Sequence, residues 1–238
     1  MKLCLIEILS FLLVFSVSSQ ATVLFWDNFE DGVMSDKWKV VTEVFTEKDG
    51  VMTMSQGAGQ YPSLVVNMPI DFSGGVTFQA ILKKNKTHDI VMPVSPTDAS
   101  ELARKIPWDG PFVRVCLDPN TGHPIVQSTP KGNGVDVKVL VDLPVIDWDN
   151  VAFQWAMYLK GDVVKLYQDG SKVLDSKHTG GFTKGYLSFG GSLAVDTTID
   201  DVVIYTGDYD KDIINKAKAV SSAEKLFISW GKIKDQYR

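Results

Sequence analysis

The sequence predicts an all-β fold, a two-sheet antiparallel β-sandwich followed by short C-terminal helices. Three observations carry that expectation. Short apolar runs recur from Val23 to Tyr205, set apart by clusters of Gly, Pro, Asn and Asp, which is the spacing of a sandwich or barrel. Within several runs apolar and polar residues alternate, so one strand face is buried and the other is solvated. Helical periodicity is not sustained before about residue 208, and no internal repeat is present.

The chain has 238 residues, 45% of them hydrophobic. That is enough to bury a core without disulfides or metals as staples. Residues 1–21 read as a secretory signal peptide: a Met1-Lys2 start, an apolar stretch from Leu3 to Val17, then small residues up to Ala21. The stretch is short for a membrane span and Glu7 interrupts it. Cleavage near Ala21 or Ser19 therefore implies a secreted or extracytoplasmic protein that is not integral to a membrane. An uncleaved anchor is the alternative.

Strands are expected at Val23–Trp26, Trp38–Phe45, Val51–Ser55, Leu64–Met68, Val76–Leu82, Phe112–Leu117 and Pro124–Ser128. Others are expected at Val137–Val141, Val151–Leu159, Val163–Gln168, Lys172–Ser176, Tyr186–Phe189 and Ile199–Tyr205. Asp49-Gly50, Lys160-Gly161-Asp162 and Asp169-Gly170 are hairpin turns by their tolerance of positive φ. A long loop from about Lys83 to Gly110 carries Pro93, Pro96 and Pro107, with a helical turn at Asp98–Lys105. Such a loop is either a functional lid or a tolerated insertion. The sandwich domain thus spans 22–207.

Residues 208–238 form a helical extension. Ile213, Ile214, Ala217 and Val220, then Leu226, Phe227, Trp230 and Ile233, follow i, i+1, i+4, i+7 spacing. These helices either pack back on the sandwich or contact a partner.

The net charge of −5 argues against nucleic acid as a general partner, because phosphate backbones repel an acidic chain. Cys4 lies in the signal, so the mature chain keeps one thiol, Cys116, inside an apolar strand pattern. That setting suits a small buried side chain rather than a nucleophile. Asn85-Lys86-Thr87 is a glycosylation sequon. His88, His123 and His178 fall in expected loops without metal-ligand spacing, and read as surface residues.

Three segments together resemble the concanavalin A-like lectin/glucanase superfamily, in particular its laminin-G-like branch. They are Leu24-Phe25-Trp26-Asp27-Asn28-Phe29-Glu30-Asp31-Gly32 followed by Trp38; Val151-Ala152-Phe153-Gln154-Trp155 through Val164-Lys165-Leu166-Tyr167-Gln168-Asp169-Gly170; and Tyr186-Leu187-Ser188-Phe189-Gly190 through Ile199-Asp200-Asp201-Val202-Val203-Ile204-Tyr205. They cover most of 23–206 in the family's order. The resemblance implies a jelly-roll sandwich. Trp230-Gly231-Lys232-Ile233-Lys234 is similar to the ends of some bacterial secreted proteins with such domains.

The resemblance also implies a structural calcium where the first and last strands meet, at Glu30, Asp31, Asp200 and Asp201. Carboxylates supply the oxygen ligands calcium needs. Against this, strand neighbours such as Asp200 and Asp201 alternate faces, leaving at most one aimed at a given site. Strand alternation further suggests that Gln79, Arg114, Gln127 and Gln154 share a polar sheet face, with Trp108 and Trp148 at loop edges able to stack on sugar rings. Amides and a guanidinium suit sugar hydroxyls; a plain solvent-facing sheet is the alternative.

The superfamily's glucanases carry their two carboxylates on one strand as an alternating E-x-D-x-x-E run, and no such run is present; nor is a nucleophile elbow, phosphate loop or zinc spacing. The sequence therefore points first to a secreted, lectin-like, non-catalytic module for a polysaccharide or glycoconjugate. Catalysis stays open with the balance against it. The alternatives are a carbohydrate-active enzyme with an atypical centre, and a structural or protein-interaction domain of the cell envelope.

Overall fold

A computed structural model describes residues 21–42, 45–55, 63–83, 90–102, 104–106, 108–117, 124–132, 135–144, 151–191 and 197–220. In chain order the strands are β1 (Val23–Asp27), β2 (Trp38–Val40), β3 (Phe45–Lys48), β4 (Val51–Met54), β5 (Ser63–Val66), β6 (Ile70–Asp71), β7 (Val76–Lys83) and β8 (Ile90–Ser95). They continue as β9 (Phe112–Leu117), β10 (Pro124–Thr129), β11 (Lys138–Asp142), β12 (Ala152–Lys160), β13 (Val163–Gln168), β14 (Ser171–Lys177), β15 (Lys184–Gly190) and β16 (Thr197–Thr206). A 3₁₀ turn covers Ala99–Glu101, and helix α1 covers 213–220.

Two antiparallel sheets face each other. The first runs β14-β13-β12-β7-β16-β4-β3, with β1 beside β16; the second runs β11-β10-β9-β8-β15-β5-β2, with β6 beside β15. The expected turns form as their residues dictate. Asp49 and Gly50 take φ of 56° and 75°, and Asp169 and Gly170 take 46° and 81°, closing tight β3–β4 and β13–β14 hairpins. Positive φ at both central residues matches the right-handed twist of the flanking strands.

The core follows strand alternation. Phe78, Ala80 and Leu82 of β7, Trp155 and Met157 of β12 and Ile204 of β16 meet Met92 and Val94 of β8, Val113 and Val115 of β9 and Phe189 of β15, all essentially excluded from water. At one end the residues of the N-terminal opening lock together. Trp38 packs edge-on to Phe25 at 5.0 Å and stacks on Phe29 at 5.8 Å. Its indole N–H donates to Asp27 Oδ2 at 2.8 Å, while Asp27 Oδ1 accepts from the Phe29 backbone N–H at 3.0 Å. The spacing of these sequence landmarks is thus a packing requirement.

Three expectations differ from the structure. The expected Trp38–Phe45 strand splits into β2 and β3, which lie in opposite sheets. The expected loop from Lys83 to Gly110 contains β8, a central strand. Pro93 obscured it, because proline lacks the N–H a central strand donates. The structure accommodates it with a gap in the ladder: β15 pairs with β8 at Tyr186–Ser95, Leu187–Val94 and Gly190–Val91, skipping Pro93. Finally, His178 is only 6% exposed. One ring nitrogen meets the Gly161 carbonyl at 2.9 Å, and the other accepts from the Gly180 N–H at 3.1 Å, so a neutral ring joins two turns.

Candidate functional site

Outward positions of the second sheet gather on β8, β9 and β10. Phe112, Arg114 and Cys116 of β9 face away from the core, as do Val91, Pro93 and Ser95 of β8 and Gln127 and Thr129 of β10. Arg114 donates from Nε and a terminal nitrogen to Gln127 Oε1, at 2.9 and 2.7 Å. Its guanidinium lies 4.6 Å from the centre of the Phe112 ring. Both partners fix the plane of the guanidinium, which otherwise swings on a long stem. These β8–β10 outward positions hold no carboxylate.

The segment between β8 and β9 folds over this face. Asp98 caps the 3₁₀ turn through the Ser100 N–H at 2.9 Å and ion-pairs with Lys39 of β2 at 2.8 Å. Burial raises the Asp98 carboxyl, but the hydrogen bonds from Lys39 and Ser100 outweigh it and leave it below its ordinary value. Ile106 and Trp108 pack on Val91, Phe112 and Cys116 as a second apolar cluster. Trp108 is therefore 7% exposed, with its ring engaged by the protein's own face rather than standing at a loop edge. The helical turn expected at Asp98–Lys105 is this shorter element.

The four residues expected to share one polar face divide between two. Arg114 and Gln127 adjoin on the second sheet. Gln79 and Gln154 lie on the outer face of the first, where residues 207–212 cross it. Tyr205 donates to Gln79 Oε1 at 3.3 Å, and Tyr209 donates to Gln154 Oε1 at 2.9 Å. Tyr209 also stacks on Tyr167 at 4.8 Å, and Asp208 accepts from Tyr167 at 2.8 Å and pairs with Lys165. Both amides thus hold the protein's own chain. Alternation fixes which residues share a strand face, but not which sheet each strand joins. Trp148 lies outside the described residues, as do the sequon and residues 221–238.

Acidic side chains crowd where β1 leaves its sheet. Strand alternation breaks here: β16 bulges between Asp200 and Val203, and Asp201 takes φ of 45°. Asp201 Oδ2 accepts from Lys218 of α1 at 3.2 Å. Burial, then the charge of Asp201, with Glu30 contributing, raises Asp200 to about 6. Glu30 lies against the β3–β4 turn, its Oε1 3.3 Å from where a Cβ on Gly50 would sit. Asp31 instead meets Glu47: the Val33 N–H points to Asp31 Oδ1 at 3.2 Å and to Glu47 Oε1 at 3.1 Å. Of the four expected calcium ligands, Asp200 thus lies within electrostatic reach of Asp201 and Glu30, while Asp31 is engaged with Glu47. Among the described residues no group of three or more His, Cys, Asp or Glu is placed to hold a metal.

Glu47 gives a pH-dependent prediction. Burial, the hydrogen bond with Asp31 and the charges of Asp27 and Asp31 raise it from 4.5 to about 7. A carboxyl whose pKa is higher folded than unfolded favours the fold while protonated. Its contribution is present below about 4.5 and is lost as pH rises through about 7. Urea unfolding in chelator is expected to show stability falling over that window in the parent. Glu47→Gln flattens the profile and is the more stable protein at pH 8; equal slopes in parent and variant contradict this.

No family model matches the sequence, and no curated protein matches it. Solved structures do. A carbohydrate-binding module, CBM66, of Bacillus subtilis aligns with 12% identity and a TM-score of 0.50, over 73% of this chain and 96% of that one. A β-glucanase of Bacillus licheniformis aligns with 14% identity and a TM-score of 0.56, over 77% and 98%. The laminarinase catalytic domain of Thermotoga maritima gives 13% and 0.56, over 79% and 99%. At such identities the likeness shows the fold: a concanavalin A-like jelly roll. No helix among the described residues is long and apolar enough to cross a membrane.

Proposed function

We propose that the protein is a secreted, lectin-like carbohydrate-binding module of laminin-G-like type that carries out no catalysis. The outward face of β8–β10 supports this reading most. It offers the half-exposed Gln127 amide, set by a buried Arg114 guanidinium that donates to its Oε1 and lies over Phe112, and its described outward positions hold no carboxylate pair to cleave a glycosidic bond. Neighbours of this fold include modules and enzymes named for carbohydrates, a fold-level analogy that leaves function to the site.

The test is affinity electrophoresis of the mature chain in gels cast with soluble β-glucans, mucin glycans or plant polysaccharides. One glycan class is expected to retard the protein, and Gln127→Ala is expected to weaken retardation about tenfold and to lower stability by about 1.5–3 kcal/mol, the worth of its hydrogen bonding to the Arg114 guanidinium. Absence of retardation in every gel contradicts the binding reading; release of reducing sugar contradicts the non-catalytic one.

We further propose that calcium is held where the first and last strands meet, by carboxylates among Glu30, Asp31, Asp200 and Asp201, with Glu30 and Asp200 at its centre. Burial and the neighbouring charges of Asp201 and Glu30 raise Asp200, and carboxylate and carbonyl oxygens are what calcium takes. Calcium then raises the thermal midpoint at pH 8 in the parent and leaves Asp200→Asn unmoved. Equal response of the two proteins removes the site.

A further inference from the structure

Residues 178–183 cross from β14 of the first sheet to β15 of the second, and they turn around the buried ring of His178. Its Nε2 lies 2.9 Å from the Gly161 carbonyl oxygen in the β12–β13 turn, and its Nδ1 lies 3.1 Å from the Gly180 backbone nitrogen. A carbonyl can only accept and a backbone N–H can only donate. Nε2 therefore carries the hydrogen and Nδ1 the lone pair, so these two partners together require one neutral tautomer. A cavity of 240 Å³ opens beside the ring, lined also by Asp162, Gly181, Phe182 and Thr183.

A second proton changes the two contacts unequally. At Nε2 the N–H still donates to Gly161, now from a cation. At Nδ1 the added hydrogen meets the Gly180 N–H head-on, and neither group has a lone pair to offer. The surroundings leave little room for a small adjustment. A Cβ on Gly180 would sit 2.5 Å from Phe182 Cε1 and 3.1 Å from His178 Nδ1, so backbone, phenyl ring and imidazole are already in close contact. Phe182 packs edge-on against Phe72 at 5.8 Å. Two hydrogen bonds bound any opening: the Thr179 N–H donates to Ser128 Oγ of β10 at 3.0 Å, and the Phe72 N–H donates to the Thr183 carbonyl at 2.9 Å. The span between these anchors is residues 180–182.

Burial disfavours the imidazolium most. It outweighs the Gly161 carbonyl and the Asp162 charge, which favour it, and holds the ring below its ordinary 6.5. Asp162 is itself paired with Lys177 of β14 at 2.8 Å. Lys160 of β12 and Lys184 of β15 are exposed, and β10 brings Ser128, which does not titrate. A histidine whose pKa is lower folded than unfolded contributes stability above about 6.5, and that contribution is lost as pH falls through the lowered value.

We propose that His178 is an acid-sensitive latch: protonated at Nδ1 it keeps Gly161 and releases Gly180, so that residues 180–182 swing away from the β12–β13 turn and widen the cavity beside them. Histidine suits this role because its charge changes within the ordinary pH range. This inference does not rest on the carbohydrate reading.

Nuclear magnetic resonance of the full chain between pH 7.5 and 4.5 tests it. His178→Gln identifies the His178 imidazole against those of His88 and His123, and supplies a neutral side chain in its place. The parent's His178 is expected to titrate below 6.5, and the Gly180 amide to lose protection at least about tenfold with the same midpoint, after correction for the intrinsic exchange rate. The Thr179 amide and those of β7 and β16 hold theirs. In His178→Gln the Gly180 amide shows no such step. If that variant does not fold, coincidence of the two midpoints in the parent decides the matter. The proposal is overturned by a His178 that titrates at or above 6.5, by Gly180 protection that is unchanged across the His178 titration, or by the same loss in His178→Gln.

Discussion

Replacing Trp38 with alanine is expected to remove about 3–5 kcal/mol of stability, the usual loss for truncating a large buried aromatic. The indole is 5% exposed, touches Phe25, Phe29 and Phe189, and donates to Asp27. A domain holds only about 5–15 kcal/mol in total, so this one change consumes much of the margin. Trp38→Phe separates the two contributions. It keeps most of the apolar contact and loses the 2.8 Å hydrogen bond to a carboxylate, a loss of about 1.5–3 kcal/mol. Urea unfolding at pH 7 measures both. A loss under about 1 kcal/mol for the alanine variant would sink the view that the N-terminal opening is spaced by packing around this ring.

Gly132→Ala is the second large effect, and it acts on the candidate site. Gly132 takes φ of 126°, and a Cβ there would sit 2.3 Å from the Asp109 carbonyl oxygen. The obstacle is backbone, so either the turn after β10 or the segment carrying Trp108 must move. Backbone strain contributes about 1–3 kcal/mol and overpacking a similar amount, so a loss of about 2–4 kcal/mol is expected. Displacing Trp108 also uncovers Cys116, which is 8% exposed beneath that cluster. Thiol labelling of the native protein should accelerate, and glycan retardation, where present, should weaken. Gly74→Ala is the control, since a Cβ at Gly74 meets nothing within 4 Å and its φ is ordinary. Equal labelling rates for the two variants contradict the close packing of the two loops as a support of the face.

These two effects differ in how far the sequence announces them. The importance of Trp38 is legible, because Asp27, Phe29 and Trp38 stand in a recognisable order and an alternating strand pattern buries the ring. The role of Gly132 is not, because the Asp109 carbonyl approaches it from a distant part of the chain. The same division runs through the candidate site. Alternation correctly places Arg114 and Cys116 opposite Val113, Val115 and Leu117. The Arg114–Gln127 pair needs the β9–β10 register in addition, which is a short-range consequence of adjacent strands. Gln79 and Gln154 have the same local look, yet serve to seat Tyr205 and Tyr209. Trp108 looks like a loop aromatic and lies under its own loop.

Fold class, the hairpin turns, the inward face of most strands and the burial of Cys116 were determined by the sequence alone. Each depends on residues near in sequence: period-two alternation, and Asp and Gly accepting positive φ where a turn requires it. Only the tertiary structure decided that β2 and β3 part to opposite sheets, that Pro93 sits in a central strand, that His178 is buried, and that Asp31 turns to Glu47 while Asp200 nears Asp201 and Glu30. Those outcomes depend on which sheet each strand joins and on a bulge at Asp200. Contacts distant in sequence set both, and no local pattern encodes them.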